Sequence, residues 1–253
     1  MASRDEIVAF LDELLDARGW PDHGPNGLQV PGAPEVDLVI SAVSAHAELF
    51  AAAADAGAQM VLCHHGILWE KGPAVVTEAH KARLRALFDA DLSLVAYHLP
   101  LDAHPEVGNN ALICRALGLD RCEAFGEHRG RSIGWVGRAG REGVPAAALV
   151  ERTTAVFERE PLVFAEGPAS VRSVGIVSGG GAGSLAEAVE RELDALVTGE
   201  PSEPAMADAR EAGIHFVAAG HYATETLGVR RLGELIAERF GVEHRFVEFP
   251  NPV

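Results

Sequence analysis

Short, unbroken apolar runs separated by helix-length segments constrain this chain more than any other feature. Val36–Val43, Gln59–Cys63 and Leu92–Tyr97 in the first half are such runs, as are Val171–Val177, Ala195–Thr198 and Ile214–Ala219 in the second. They are short, largely β-branched or aliphatic, and do not alternate with polar residues. A strand of that kind buries both faces, as in a parallel sheet covered by helices. The spacing predicts those helices over Ala45–Ala56, Thr77–Ala90, Asn109–Leu117, Ser184–Glu192, Glu203–Ala212 and Ala223–Phe240. A further helix should follow Ser3-Arg-Asp-Glu6, which has the form of a capping box. The expected class is therefore α/β, with mixed, largely parallel sheets.

The order of elements occurs twice. From Ser44 to His64 is 20 positions, and from Ser178 to Gly199, the matching point, is 21. Two related α/β domains are expected, 1–125 and 126–253, joined where Gly126, Gly130 and charged residues crowd together. The final helix and strand have the option of packing back on the first half. Ser132–Val136 and Leu162–Phe164 read as an antiparallel extension of the second, and 20–35, rich in Gly and Pro, as a loop.

Charge narrows the function classes. The formal net charge is −16, which repels nucleic-acid phosphates and anionic membranes unless bound cations reverse the local field. No aromatic–basic platform is visible, so neither nucleic acid nor membrane is an expected partner. No apolar run approaches the roughly 18–20 residues of a membrane span. The N-terminus turns acidic at once, unlike a secretory signal, and a cytoplasmic location is expected. Three cysteines without a C-x-x-C make disulfide scaffolding and a thiolate zinc site poor readings. Eleven histidines point instead to imidazole and carboxylate as metal donors.

Three polar clusters follow the carboxyl ends of three expected strands: His64-His65, Asp102, and His221 with Glu225. Ligands of open α/β sheets bind at that edge, so the three can converge on one crevice. Adjacent histidines at a strand end point in different directions and suit two neighbouring ions. His221 and Glu225, four apart, share a helix face, and a carboxylate there can bridge two cations. The set His64, His65, Asp102, His221, Glu225 suits two divalent ions that activate water and polarise a phosphoryl or carbonyl oxygen. The competing reading is a set of capping and surface residues, taken here for His23, His46, His80, His128, His215 and His244. His98 and His104 flank Asp102 and are candidates for orienting a ligand or moving a proton, against ordinary loop packing. Asn26, in a loop that can cover the site, and Glu200, at the equivalent strand end of the second half, are candidate substrate-binding residues. Ser178–Ser184 reads as a strand–helix turn, because it matches neither phosphate-binding fingerprint.

Gly24-Pro-Asn-Gly-Leu-Gln-Val30, His64-His-Gly-Ile-Leu-Trp69, Tyr97–His104 running on to Gly108-Asn-Asn110, Gly220-His-Tyr-Ala-Thr-Glu225 and the terminal Phe249-Pro-Asn-Pro-Val253 resemble the Nif-three-like dinuclear metal-centre proteins. That family often carries the label GTP cyclohydrolase 1 type 2. The resemblance spans nearly the whole chain. It implies two α/β domains, a ring-shaped homohexamer, and a two-metal centre facing an internal cavity. By motif position, His64, His65, Asp102, His221 and Glu225 would be its ligands, with Glu225 bridging. Many relatives have His-His-Pro where this chain has His65-Gly66, a change expected to loosen the loop without removing a ligand.

The reading that follows is a hydrolase with two divalent ions per subunit (Zn, Fe, Mn, Co or Ni) acting on a small phosphorylated or nucleotide-like molecule. GTP ring opening is one candidate. The alternative is a non-enzymatic oligomeric metal-binding or interaction scaffold.

Overall fold

The apolar run near residue 40 forms the strand Leu38–Ser44, buried along its length up to Ser44. Ile40 and Ala42 pack with Leu49, Phe50 and Ala53 of the helix Ala47–Asp55. Alternation along a strand sends Val39, Ser41 and Val43 to the opposite face, where they are buried as well. The computed structural model describes residues 1–253. In it this strand is second in a sheet ordered Glu243–Phe246, Leu38–Ser44, Met60–His65, Ser93–Ala96, Gly27–Val30. The first four strands are parallel and the last is antiparallel.

That sheet centres one of two compact units, Met1–Leu101 with Gly228–Phe249. Its first helix, Arg4–Leu14, starts where Ser3 Oγ accepts the Glu6 amide at 3.4 Å. Its last helix, Thr226–Phe240, crosses into the unit at Gly228 and meets Phe10 through Phe240, rings edge to face at 5.8 Å. His244 of the final strand bonds Ser41 Oγ at 2.7 Å. The four-residue strand Gly27–Val30 lies within the stretch expected to be a loop. Its ladder with Ser93–Ala96 carries a register shift between Leu28 and Val30.

The second unit is Asp102–Leu227 with Pro250–Val253. Ser173–Val177, Ala195–Thr198 and His215–Ala218 are parallel neighbours in its sheet. Leu162–Ala165 adds antiparallel on one side, and the hairpin Asp120–His128/Arg131–Arg138 on the other. The hairpin occupies what sequence alone marks as a join. The chain changes unit at Leu101/Asp102, whereas the expected boundary was 125/126. The helix Asn109–Ala116 explains the difference, since Ile113, Cys114 and the following Leu117 share a core with Val174, Ile176 and Val197. Gly175 is the seat of Phe125: a Cβ there would stand 2.7 Å from the Phe125 ring. Burying a ring of that size contributes roughly 1.5–3 kcal/mol. No helix is long and apolar enough to cross a membrane.

Candidate metal centre

Strand register positions the first set of donors. Met60–His65 is flanked on both sides by parallel strands, with Ser44 opposite His65 and Ala96 opposite Cys63. The Tyr97 carbonyl therefore lies beside His64 and accepts its Nδ1–H at 3.0 Å. His64 is fully buried. His65 Nδ1 meets Ser44 Oγ at 3.0 Å. One strand further on, His98 Nδ1–H donates to Asp22 Oδ1 at 2.7 Å. Hydrogen bonding at Nδ1 fixes each ring and turns Nε2 toward a ligand, the arrangement usual for metal-binding imidazoles. The ligand atoms of His64, His65 and His98 lie within 4.8 Å of one another.

Asp22 anchors the His98 end of this set. Besides His98, its carboxylate accepts from Asn26 Nδ2 at 2.9 Å, the Leu99 amide at 3.0 Å and the His23 amide at 2.6 Å. Burial works against its charge, but His98 and the donors from Asn26 and His23 outweigh it and hold the carboxyl down to about 2. Asn26 Oδ1 accepts the His98 amide at 2.8 Å, so this candidate for substrate binding bonds Asp22 and the His98 backbone. Trp69 stands perpendicular to the His98 ring at 5.2 Å and donates Nε1–H to the Gly66 carbonyl. A Cβ at Gly66 would collide with the side-chain amide of Gln29. That amide accepts the Ile67 amide at 2.9 Å and donates to Pro25 O at 2.8 Å. Gly66, expected to loosen the loop, thus leaves room for Gln29 to tie it down.

The second unit builds a different set. The strand His215–Ala218 leads into Gly220, at φ +101°, and the short helix His221–Thr224. His221 sits between two carboxylates: Nδ1 bonds Glu200, and Nε2 lies 3.2 Å from Glu225 Oε1. Burial alone would lower the His221 pKa, but Glu225 and then Glu200 outweigh it and push it up to about 9. The space between His221 Nε2 and Glu225 Oε1 is one that suits a metal cation as well as a proton. Gly179, at φ +60°, keeps it open, since a Cβ there would collide with Glu225 Oε1 and stand 3.2 Å from His221 Nε2. Its N–H is taken by Thr224 Oγ1 at 3.0 Å, and its carbonyl by the Gly199 and Glu200 amides at 3.0 Å. The Gly-rich turn, a short 3-10 segment over Gly181–Ser184, begins as a wall of this pair.

Asp102 is 4% exposed, and its Oδ1 accepts from Asn109 Nδ2 at 2.8 Å and Ser178 Oγ at 3.0 Å. Asn110 locks the same region, accepting the Ser178 amide at 2.7 Å and donating to the Asp102 carbonyl at 3.3 Å. His104 Nδ1 accepts the Glu106 and Val107 amides at 3.2 and 3.1 Å, bracing the turn ahead of Asn109–Ala116. Glu200, a candidate substrate contact, bonds His221. Of the histidines read as ordinary, His215 bonds Pro168 O and Gly167 N, and His46 caps a helix. The sequence reading missed Asp22 and the role of Ser178. Asp22 had no signal beyond its turn-rich setting, and Ser178 only its place at the end of a strand.

Imidazole and carboxylate donors of this kind fit divalent first-row metals. The pattern of the Duf34/NIF3 (NGG1p interacting factor 3) family matches residues 2–252. A Deinococcus radiodurans protein named GTP cyclohydrolase 1 type 2 homolog is 41% identical over 248 residues, 98% of this chain and 94% of that protein. The solved structure of protein ybgI, of unknown function, superposes with a TM-score of 0.93 at 36% identity, covering 100% of both chains. That of TTHA1606 from Thermus thermophilus gives 0.88, also at 36% identity and 100% coverage of both. By pattern, sequence and fold together, the chain belongs to the Duf34/NIF3 family.

Proposed function

We propose that this protein is a dinuclear metal-dependent hydrolase acting in the cytoplasm, as a homohexamer, on a small phosphorylated or nucleotide-like substrate. GTP ring opening is one reaction in that class. In this reading His64, His65, Asp102, His221 and Glu225 would hold two divalent ions, with Glu225 the carboxylate expected to serve both. His98 is added as a further donor or proton carrier. The observation that carries the reading is the anchoring of the donors, with a carbonyl, a hydroxyl or a carboxylate on Nδ1 of His64, His65, His98 and His221. The name shared by the relatives supports the same class.

Bound metal would supply Lewis acidity toward water and toward a phosphoryl or carbonyl oxygen. The residues do the rest. Asp22 holds His98 in one orientation. Glu200 does the same for His221, while Asn109 and Ser178 hold Asp102. With Asp22 on Nδ1, His98 is free to present Nε2 as the candidate proton carrier.

The test is to load purified protein with Mn²⁺, Fe²⁺, Co²⁺ or Zn²⁺ and screen phosphoesters and GTP beside elemental analysis. About two ions per chain and turnover lost in His65→Ala and Glu225→Ala are expected. A fully loaded protein inert on every substrate would transfer the site to the non-enzymatic, metal-binding reading.

A further inference from the structure

The terminal residues Pro250–Val253 belong to the second unit although the strand before them belongs to the first, and they finish beside a metal-ligand candidate. The Val253 backbone oxygen accepts the Tyr222 amide at 3.1 Å, one residue beyond His221. The Pro252 carbonyl accepts from Arg159 Nη2 at 3.1 Å. Asn251 Oδ1 accepts the Val253 amide at 3.0 Å, turning the tail so that both oxygens face their donors.

The fold brings Arg159 to this place by register. Leu162 pairs with Ala218 in the antiparallel ladder between Leu162–Ala165 and His215–Ala218. Continued three residues, that register sets Arg159 alongside His221. The helix Ala146–Phe157 ends at Glu158 in the left-handed region, φ +53°, which starts the chain toward the ladder at Arg159. The guanidinium then lies against Gly220, where a Cβ would collide with Nη1. At φ +101° Gly220 adopts a conformation few other residues reach, and it is the residue that aims His221. The guanidinium against Gly220 and the tail on the Tyr222 amide, themselves joined through Pro252 O, leave that backbone little freedom to turn.

We propose that Arg159 and the tail 250–253 form a strap that positions His221, and through it the pair His221–Glu225, for metal. Arg159 is a positioning residue in this account and touches neither metal nor substrate. The strap rests on the reading of His221 and Glu225 as metal ligands. Groups that hold a ligand in place typically change metal affinity about 10–100-fold when removed, and this sets the size of the expected effect.

The experiment is a Co²⁺ titration of the whole protein, followed by visible absorption and by competition with a chelator, on wild type, Arg159→Ala, Arg159→Lys, a deletion of 251–253 and His221→Ala. Melting of the chelated proteins reports on the fold. Wild type is expected to take about two Co²⁺ per chain. In Arg159→Ala one equivalent should weaken roughly tenfold or more with an altered absorption band, while the other stays within about twofold. Arg159→Lys, which keeps a donor for Pro252, should recover most of the loss. The deletion leaves Arg159 in place and should reproduce the weakening, which provides a second reading if Arg159→Ala melts early. Both equivalents within about twofold of wild type in Arg159→Ala and in the deletion, beside a clear loss in His221→Ala, would overturn the strap alone. Unchanged binding in His221→Ala as well would overturn it together with the metal reading.

Discussion

The donor set of the first unit is three imidazoles; that of the second is an imidazole between carboxylates, with Asp102 held in a network of its own. The first is rich in nitrogen, and the carboxylate of Asp22 accepts from His98. The second is anionic, and its carboxylates Glu225 and Glu200 push the His221 pKa up. Duplicated strand order therefore did not produce duplicated chemistry. The same strand-end position carries a pair of candidate donors, His64-His65, in one sheet and, in the other, Gly199-Glu200, whose carboxylate bonds His221.

The most direct way to break this contrast is to remove ligands from one unit at a time. His64→Ala with His65→Ala, and separately His221→Ala with Glu225→Ala, should each reduce bound metal from about two to about one per chain. Turnover in any active assay should fall by a factor on the order of 10² or more if the two ions act together. Elemental analysis beside the substrate screen checks both. Retention of two ions in either double variant would show that the ligands lie elsewhere.

Supporting groups come next. Asp22→Ala leaves the His98 Nδ1–H and the Leu99 amide without their acceptor. Losing such partners inside a protein destabilises by about 1–3 kcal/mol, so a drop of several degrees in melting temperature is expected, with weaker metal binding. Ser178→Ala removes a donor to Asp102 Oδ1. A roughly tenfold change in metal affinity with little change in melting is expected, read by chelator competition.

Acid and base should separate the two sets in the metal-free protein. The His221 pKa is raised from 6.5 to about 9. Its contribution to stability is complete below pH 6.5 and is lost as pH rises through 9. The Asp22 pKa is lowered from 3.8 to about 2, so its contribution is complete above pH 3.8 and lost as pH falls toward 2. Melting of chelated protein should therefore weaken from about pH 7 to about pH 9.5 in wild type but less in His221→Gln, and the acid limb should flatten in Asp22→Asn. Metal loading at neutral pH should release a proton from His221, measurable in weakly buffered solution.

The smallest effect is expected at Gly66. Gly66→Ala must displace Gln29, losing its bonds to Ile67 and Pro25. About 1–2 kcal/mol of destabilisation follows by the same reasoning, with metal stoichiometry unchanged, and a denaturant melt beside elemental analysis separates the two.

Legibility in the sequence followed burial. Leu38–Ser44 and Ala195–Thr198 were readable because strands buried on both faces must be apolar throughout. Asp120–His128 was not, because its first five residues are exposed and a solvated edge strand carries no such pattern. Gly27–Val30 is only four residues long between Pro25 and Pro31, and turn signals hide it. At the candidate site, residues whose spacing alone places them together, His64-His65 and His221 with Glu225, were legible. Asp22 and Ser178 act through partners 76 residues away, and Arg159 through a strand register, none of which local spacing encodes.

Gly179 has a consequence for reading other chains of this kind. Its missing side chain is the opening beside Glu225 and His221, since any Cβ there would collide with Glu225 Oε1. A relative carrying a bulky residue at the matching position could preserve every donor and still be unable to admit an ion there. If the pair binds metal as proposed, that single position decides whether an ion has room to enter beside Glu225.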